Sequence, residues 1–182
     1  MKKRIKRSYR ITKYVVYKQT IINPEDHLWT FVGSFLGIGI IGYLHGFVFS
    51  DTDVLFLIGS FGASAVLVFG ATNSPLAQPR NLIFGHLLSA FIGVTCCKLI
   101  PDIQWLSSAV AVSLSIVIMQ ITKTMHPPGG ATALIANIGS NHIKSLGYQY
   151  VFTPVFTGVI ILYLVAIVIN NIPKNRNYPY KK

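Results

Sequence analysis

Acidic residues are nearly missing from this chain: five Asp and Glu stand against 16 Lys and Arg in 182 residues. Charged residues of both signs make up 12%, roughly half of the ~25% that a soluble domain carries. So few acids do not solvate a globule of this size. Cysteine is equally scarce. Cys96 and Cys97 are adjacent in an apolar run, where neighbours rarely form an unstrained disulfide and no metal-ligand spacing exists, so they read as small packing residues. A cleavable signal is not expected either: the basic region is long, the first apolar run is full span length, and no small-residue cleavage site follows it. The acids lie at turns or flanks, no nucleophile stands beside a base, and no metal cluster is present. The chain is therefore expected not to be an enzyme and to need no cofactor.

What the chain does have is apolar length, with 52% hydrophobic residues and a mean hydropathy of +0.53. This describes one integral membrane domain. The basic residues are concentrated at the flanks, eight of the 16 falling in the first 18 positions and four in the last nine. That distribution fits the positive-inside rule and not a nucleic-acid footprint. Three regions follow: a basic segment over 1–27, a transmembrane region over 28–170, and a basic tail over 171–182. Both termini are expected in the cytoplasm, in the cell (inner or plasma) membrane. The first segment either lies on anionic lipid or is a solvated topology signal.

Apolar runs place spans at Leu28–Phe49, Val54–Ala71, Leu82–Ile100, Leu106–Thr122 and Val151–Ile169. The second is interrupted by GSFGAS, Gly59 to Ser64, which should loosen it part-way into the membrane. Between the fourth and last spans lies MHPPGGATALIANIG, Met125 to Gly139, around which the chain is organised. Pro127 and Pro128 suit only a helix's first turn, and His126 before them is pushed out of helical geometry. Gly129, Gly130, Ala131 and Thr132 then leave backbone N–H groups open at the positive end of a helix, a place suited to an anion. The other reading is helix packing through small residues.

GASAVL (62–67) resembles GATALI (130–135) at an offset of 68. The same shift carries the third span onto the last. The expected architecture is an all-α polytopic bundle of four to six spans, an inverted repeat of two three-element units with broken middle helices. Six crossings, or four with both broken elements re-entrant, put the two basic termini on one side; five do not. Gly62, Ala63 and Ser64 would be the pseudo-symmetric partner of the HPP turn. Arg80 either attracts anions or is one more cytoplasmic charge. His86, a polar group in a span, needs a partner, though it lies near enough the end to be interfacial. His126 either binds an anion or relays a proton, or else caps the preceding helix.

HPPGGATALIA, GASAVLVFGATNSPLAQPRN and GHLLSAFIGV together resemble the HPP family of integral membrane proteins, over roughly Leu28 to Asn170. The family pattern has Ala-Pro where this chain has Ala71-Thr72. The resemblance implies a four-spanning domain, and nitrite transport, to which plant members are linked. The expected function is a small-anion transporter or channel, with nitrite or nitrate bound at His126, Pro127, Pro128, Gly129, Gly130, Ala131, Thr132, Gly62, Ala63, Ser64, Arg80 and His86. The alternative is a non-transporting scaffold or sensor that works through its basic tail. Few elements enclose a path, so a homodimer or larger homo-oligomer is expected, with the glycine-rich first span a candidate interface.

Overall fold

The structure, a computed structural model, describes residues 24–47 and 59–180. Most of the basic N-terminal segment, the SDTD turn and the start of the second span lie outside the described residues. Those described form an all-α polytopic membrane bundle of seven helices: α1 Pro24–His45, α2 Gly59–Gly70, α3 Pro79–Leu99, α4 Gln104–Ile121, α5 Pro128–Ile138, α6 Asn141–Ser145 and α7 Val151–Asn170. Four of them, α1, α3, α4 and α7, are long and apolar enough to cross a membrane. At 1.5 Å per residue α5 extends only ~16 Å, short of a ~30 Å hydrocarbon core, and the described part of α2 extends ~18 Å.

Helix starts and stops follow local chemistry. Gln78 is extended and Pro79 opens α3, where the missing N–H has no partner to lose. Lys123 ends α4 with φ of 56°, and the Thr124 N–H reaches back to the Met119 carbonyl at 2.9 Å, so the orphan carbonyls of the last turn are met. Thr124 to His126 is then non-helical. The second span departs from expectation: Gly59 to Ser64 is regular helix, and the irregularity is a π-turn over Val66–Gly70. Without water to compete for backbone groups, glycine does not open a helix as it does in solution.

α3 is the central element, packed on α4, α5 and the start of α7, while α7 packs on α1. Close backbone approach makes the α3–α5 contact. A Cβ at Gly93 would lie 2.6 Å from the Ala133 carbonyl oxygen, and one at Gly85 would lie 2.5 Å from His126 Cβ. The α1 glycines are used within the chain as well. Gly33 and Gly37 accept the Phe69 ring, and Gly37 also meets Leu162, whereas Gly39 faces open space. Large apolar side chains such as Phe31, Phe35, Leu99, Trp105 and Phe152 point outward, as lipid-facing residues do.

Two ends of the bundle can be told apart. At one, Arg176 joins Asp26 of α1, the Phe69 carbonyl of α2 and Asn170 of α7, and Arg80 of α3 donates to the Thr122 carbonyl at 2.9 Å. At the other, Ser107 and Gln104 of α4 bond Asn137 of α5, and Lys98 of α3 lies over the Tyr148 ring. α3 therefore runs from the first end to the second and α4 runs back, α1 starts at the first end, and α2 and α7 finish there. The tail is not loose: Tyr178 is buried, with its hydroxyl donating to the Ala77 carbonyl at 2.7 Å.

Candidate functional site

Where α2, α3 and α5 meet, five polar side chains are buried together: Ser60, Ser64, His86, His126 and Thr132, none more than 3% exposed. Each arrives for a local reason. The Pro-Pro turn holds His126 just before α5, and Gly85 leaves the space its Cβ occupies. His86 follows Gly85 on α3 and tilts against the Phe61 ring, 5.6 Å between centroids. Ser60 and Ser64 are one helical turn apart on α2, so they share a face. Tyr150 fixes Thr132 from behind, donating its hydroxyl to the Thr132 carbonyl at 3.0 Å.

The hydrogen bonds form one connected chain. His126 Nδ1 lies 2.8 Å from the Leu76 carbonyl. A carbonyl only accepts, so the ring carries its proton on Nδ1, and in the neutral form Nε2 is the acceptor. Ser64 Oγ, at 2.9 Å, donates to that nitrogen. Having one proton, Ser64 must accept from His86 Nε2 at 2.7 Å. His86 Nδ1 is then an acceptor and takes the Thr132 hydroxyl at 2.7 Å. Ser60 closes the chain with Oγ 2.6 Å from Thr132 Oγ1 and 3.2 Å from the Pro128 carbonyl. None of these side-chain atoms lacks a partner. The run reads Ser60, Thr132, His86, Ser64, His126, Leu76, every donor pointing the same way.

The HPPGGAT stretch splits into two faces. His126, Pro128, Gly129 and Thr132 are buried, while Pro127, Gly130 and Ala131 line an apolar groove of about 500 Å³ between α4 and α5, with Val112, Met119 and Met125. The N–H groups expected to be open are in use: Gly129 donates to the His126 carbonyl at 2.8 Å and Gly130 to the Pro127 carbonyl at 3.0 Å. Tight turns at a Pro-Pro entry satisfy the donors that a plain helix start would leave free. Of the α2 triplet only Ser64 joins the cluster; Ala63 is exposed and a Cβ on Gly62 would meet nothing. Arg80 is exposed and bonds the Thr122 carbonyl at the end of α4, not a member of the cluster.

Residues outside the motif share the site. Ser60 was hidden inside a run read as a helix break, and Tyr150 lies 18 positions beyond the residue it holds. The sequence offers no nucleophile beside a base, yet the fold sets Ser64 between two imidazoles. His45 is buried as well, its ring 6.2 Å from that of Phe61.

The HPP transmembrane-region family matches residues 19–179, nearly the whole chain. The chain belongs to the HPP family. Two curated transmembrane proteins of Dictyostelium discoideum are each 45% identical over 158 residues, 85% of this chain and 55% and 50% of their own lengths. The chain thus spans about half the length of these relatives. No solved structure matches. The histidine that gives the HPP signature its first letter is His126, and the fold pairs it with His86, 40 positions earlier, at 4.9 Å between ring centroids.

Proposed function

We propose that this HPP-family chain moves small monovalent anions across a membrane, nitrite and nitrate being the first to test. One observation carries the reading: two imidazoles and three hydroxyls are buried where α2, α3 and α5 meet inside a membrane bundle. Polar groups buried in a span are expensive and characteristically serve a pathway. A helix as short as α5, opened by a Pro-Pro turn beside such a cluster, is a recurring transporter feature. The cluster's groups satisfy one another, so the described form is closed and an anion would have to compete for its hydroxyl and imidazole donors. That favours a carrier over an open channel.

Hydrolysis is the reading that Ser64 between two histidines raises. Ser64 is fully buried, and the Gly129 and Gly130 N–H groups of the HPP turn are spent on turn carbonyls. The arrangement lacks the access and the oxyanion donors that acyl transfer needs, so we favour a non-enzymatic role. The end bearing Arg80, Lys123 and Lys174 would face the cytoplasm, with both termini there and the basic N-terminal segment on anionic lipid. A homo-oligomer would use surfaces other than Gly33 and Gly37, which are already occupied.

The test is uptake of nitrite and nitrate into proteoliposomes holding wild type or His126→Ala. Saturable, protein-dependent flux that falls at least tenfold in the variant is expected. Absence of nitrite, nitrate, formate and chloride flux from well-folded protein would end the transport reading and leave a membrane scaffold.

A further inference from the structure

The cluster contains no fixed charge, and this bears on how it would take an anion. Among the described residues no Asp, Glu, Lys or Arg is buried. Arg80, Lys98, Lys123, Lys144 and Lys174 are exposed. Arg176 has all five donors engaged: Asp26 Oδ1, the Asp26 carbonyl, Thr30 Oγ1, the Phe69 carbonyl and Asn170 Oδ1. An anion drawn into this region would meet no compensating cation, and an unpaired charge in a low-dielectric interior is prohibitively costly. The groups facing the imidazoles are Ser60 and Ser64 from α2, Thr132 from α5, the Tyr150 hydroxyl behind Thr132, and His45 beyond Phe61. Only the histidines among them become cations near neutral pH.

We propose that each anion travels with one proton held on the His86–Ser64–His126 bridge, making the protein an electroneutral anion–proton symporter. This rests on the transport reading. The bridge is built to hold one added proton in either of two places. A proton passed from Thr132 forms an N–H bond at His86 Nδ1, Thr132 takes the Ser60 proton in its place, and Ser60 is reprotonated by the one proton that enters from the aqueous phase. His86 is then the cation, still donating from Nε2 to Ser64, which still donates to His126. If the His86 Nε2 proton moves to Ser64 Oγ as the Ser64 proton moves to His126 Nε2, the cation is His126 and every bond in the bridge is reversed. One proton has entered and none is lost. His126 Nδ1–H stays on the Leu76 carbonyl throughout. Two imidazolium rings 4.9 Å apart would repel each other, so the bridge accepts a single proton and balances a single negative charge.

The experiment uses the full chain in proteoliposomes with a pH dye inside and membrane potential set by potassium and valinomycin. Nitrate is the probe, because its conjugate acid is strong and does not leak through lipid as the neutral form. An inward nitrate gradient should acidify the lumen one proton per nitrate, an acid exterior should drive uphill nitrate uptake, and reversing the potential should change the rate less than twofold. His86→Gln with His126→Gln should abolish the proton movement. Should that variant fold poorly, wild type in unbuffered detergent should take up one proton per nitrate bound. Nitrate uptake that follows potential without acidification, or nitrate binding without proton uptake, overturns symport and leaves transport standing. No flux of either anion from stable protein removes the transport reading and symport with it.

Discussion

Arg176 and Asp26, 150 positions apart, form an ion pair of 2.9 Å with side chains only 9% and 18% exposed. The same guanidinium also bonds the Asp26 carbonyl, the Thr30 hydroxyl, the Phe69 carbonyl and Asn170. One side chain thereby ties α1, α2 and α7 together and donates to the orphan Phe69 carbonyl at the end of α2. Arg176→Lys keeps the charge but supplies three donors in place of five and no planar fork. It should lower stability by about 2 kcal/mol, read as a lower melting temperature in detergent. Asp26→Asn combined with Arg176→Lys should cost less than the two single changes added together. Strict additivity would mean that the pair is not coupled.

The glycines of the bundle should separate sharply under Ala substitution. Gly93→Ala meets the Ala133 carbonyl at 2.6 Å and Gly85→Ala meets His126 Cβ at 2.5 Å, backbone or near-backbone atoms that cannot step aside. Each should cost about 2 kcal/mol or more. Gly39→Ala, with nothing within 4 Å, should be neutral or slightly stabilising, because alanine is the better helix former. Thermal unfolding of the three variants in one detergent decides it. Equal tolerance at Gly93 and Gly39 would contradict the close α3–α5 approach.

Much of the architecture was legible from apolar length and punctuation. Spans expected at Leu82–Ile100, Leu106–Thr122 and Val151–Ile169 appear as Pro79–Leu99, Gln104–Ile121 and Val151–Asn170, because hydropathy and proline set both. His86 was visible as a costly polar group needing a partner, and His126 as an anion binder, a proton relay or a helix cap. Their meeting was not visible, since it depends on how α3 and α5 approach and on a turn carbonyl at Leu76. Hydrogen bonds inside the turn, which occupy the Gly129 and Gly130 N–H groups, also escape a reading of residue types. Ser60 Oγ lies 3.2 Å from the Pro128 carbonyl oxygen, residues separated by the offset of 68 at which the two GAxA segments align. Such a contact is expected where elements related by a two-fold axis meet, and the duplication itself is a proposal.

Tyr178 should matter more than its place in a basic tail suggests. Its hydroxyl bonds the Ala77 carbonyl at 2.7 Å, and the Tyr180 N–H bonds Gln78 Oε1 at 2.8 Å. Both anchor the loop whose Leu76 carbonyl holds His126. Tyr178→Phe leaves a buried carbonyl without its donor, a loss of about 1–2 kcal/mol. Cleavage of the 72–81 loop by a broad-specificity protease should quicken in the variant. Unchanged cleavage and melting would mean that the tail rests on the loop without holding it.

Ser64 offers the sharpest division between a transport bridge and a hydrolytic centre. A serine activated for acyl transfer gives its proton to one histidine while its oxygen stays free to attack. Here the oxygen is also an acceptor for His86, and Ser64 is fully buried. A fluorophosphonate probe should therefore leave Ser64 unmodified in the native protein, by mass spectrometry of the 59–80 region. Ser64→Ala, which keeps both imidazoles but breaks the bridge between them, should slow proton-coupled uptake at least tenfold. Stoichiometric labelling of Ser64 in folded wild type would instead assign the two histidines to catalysis.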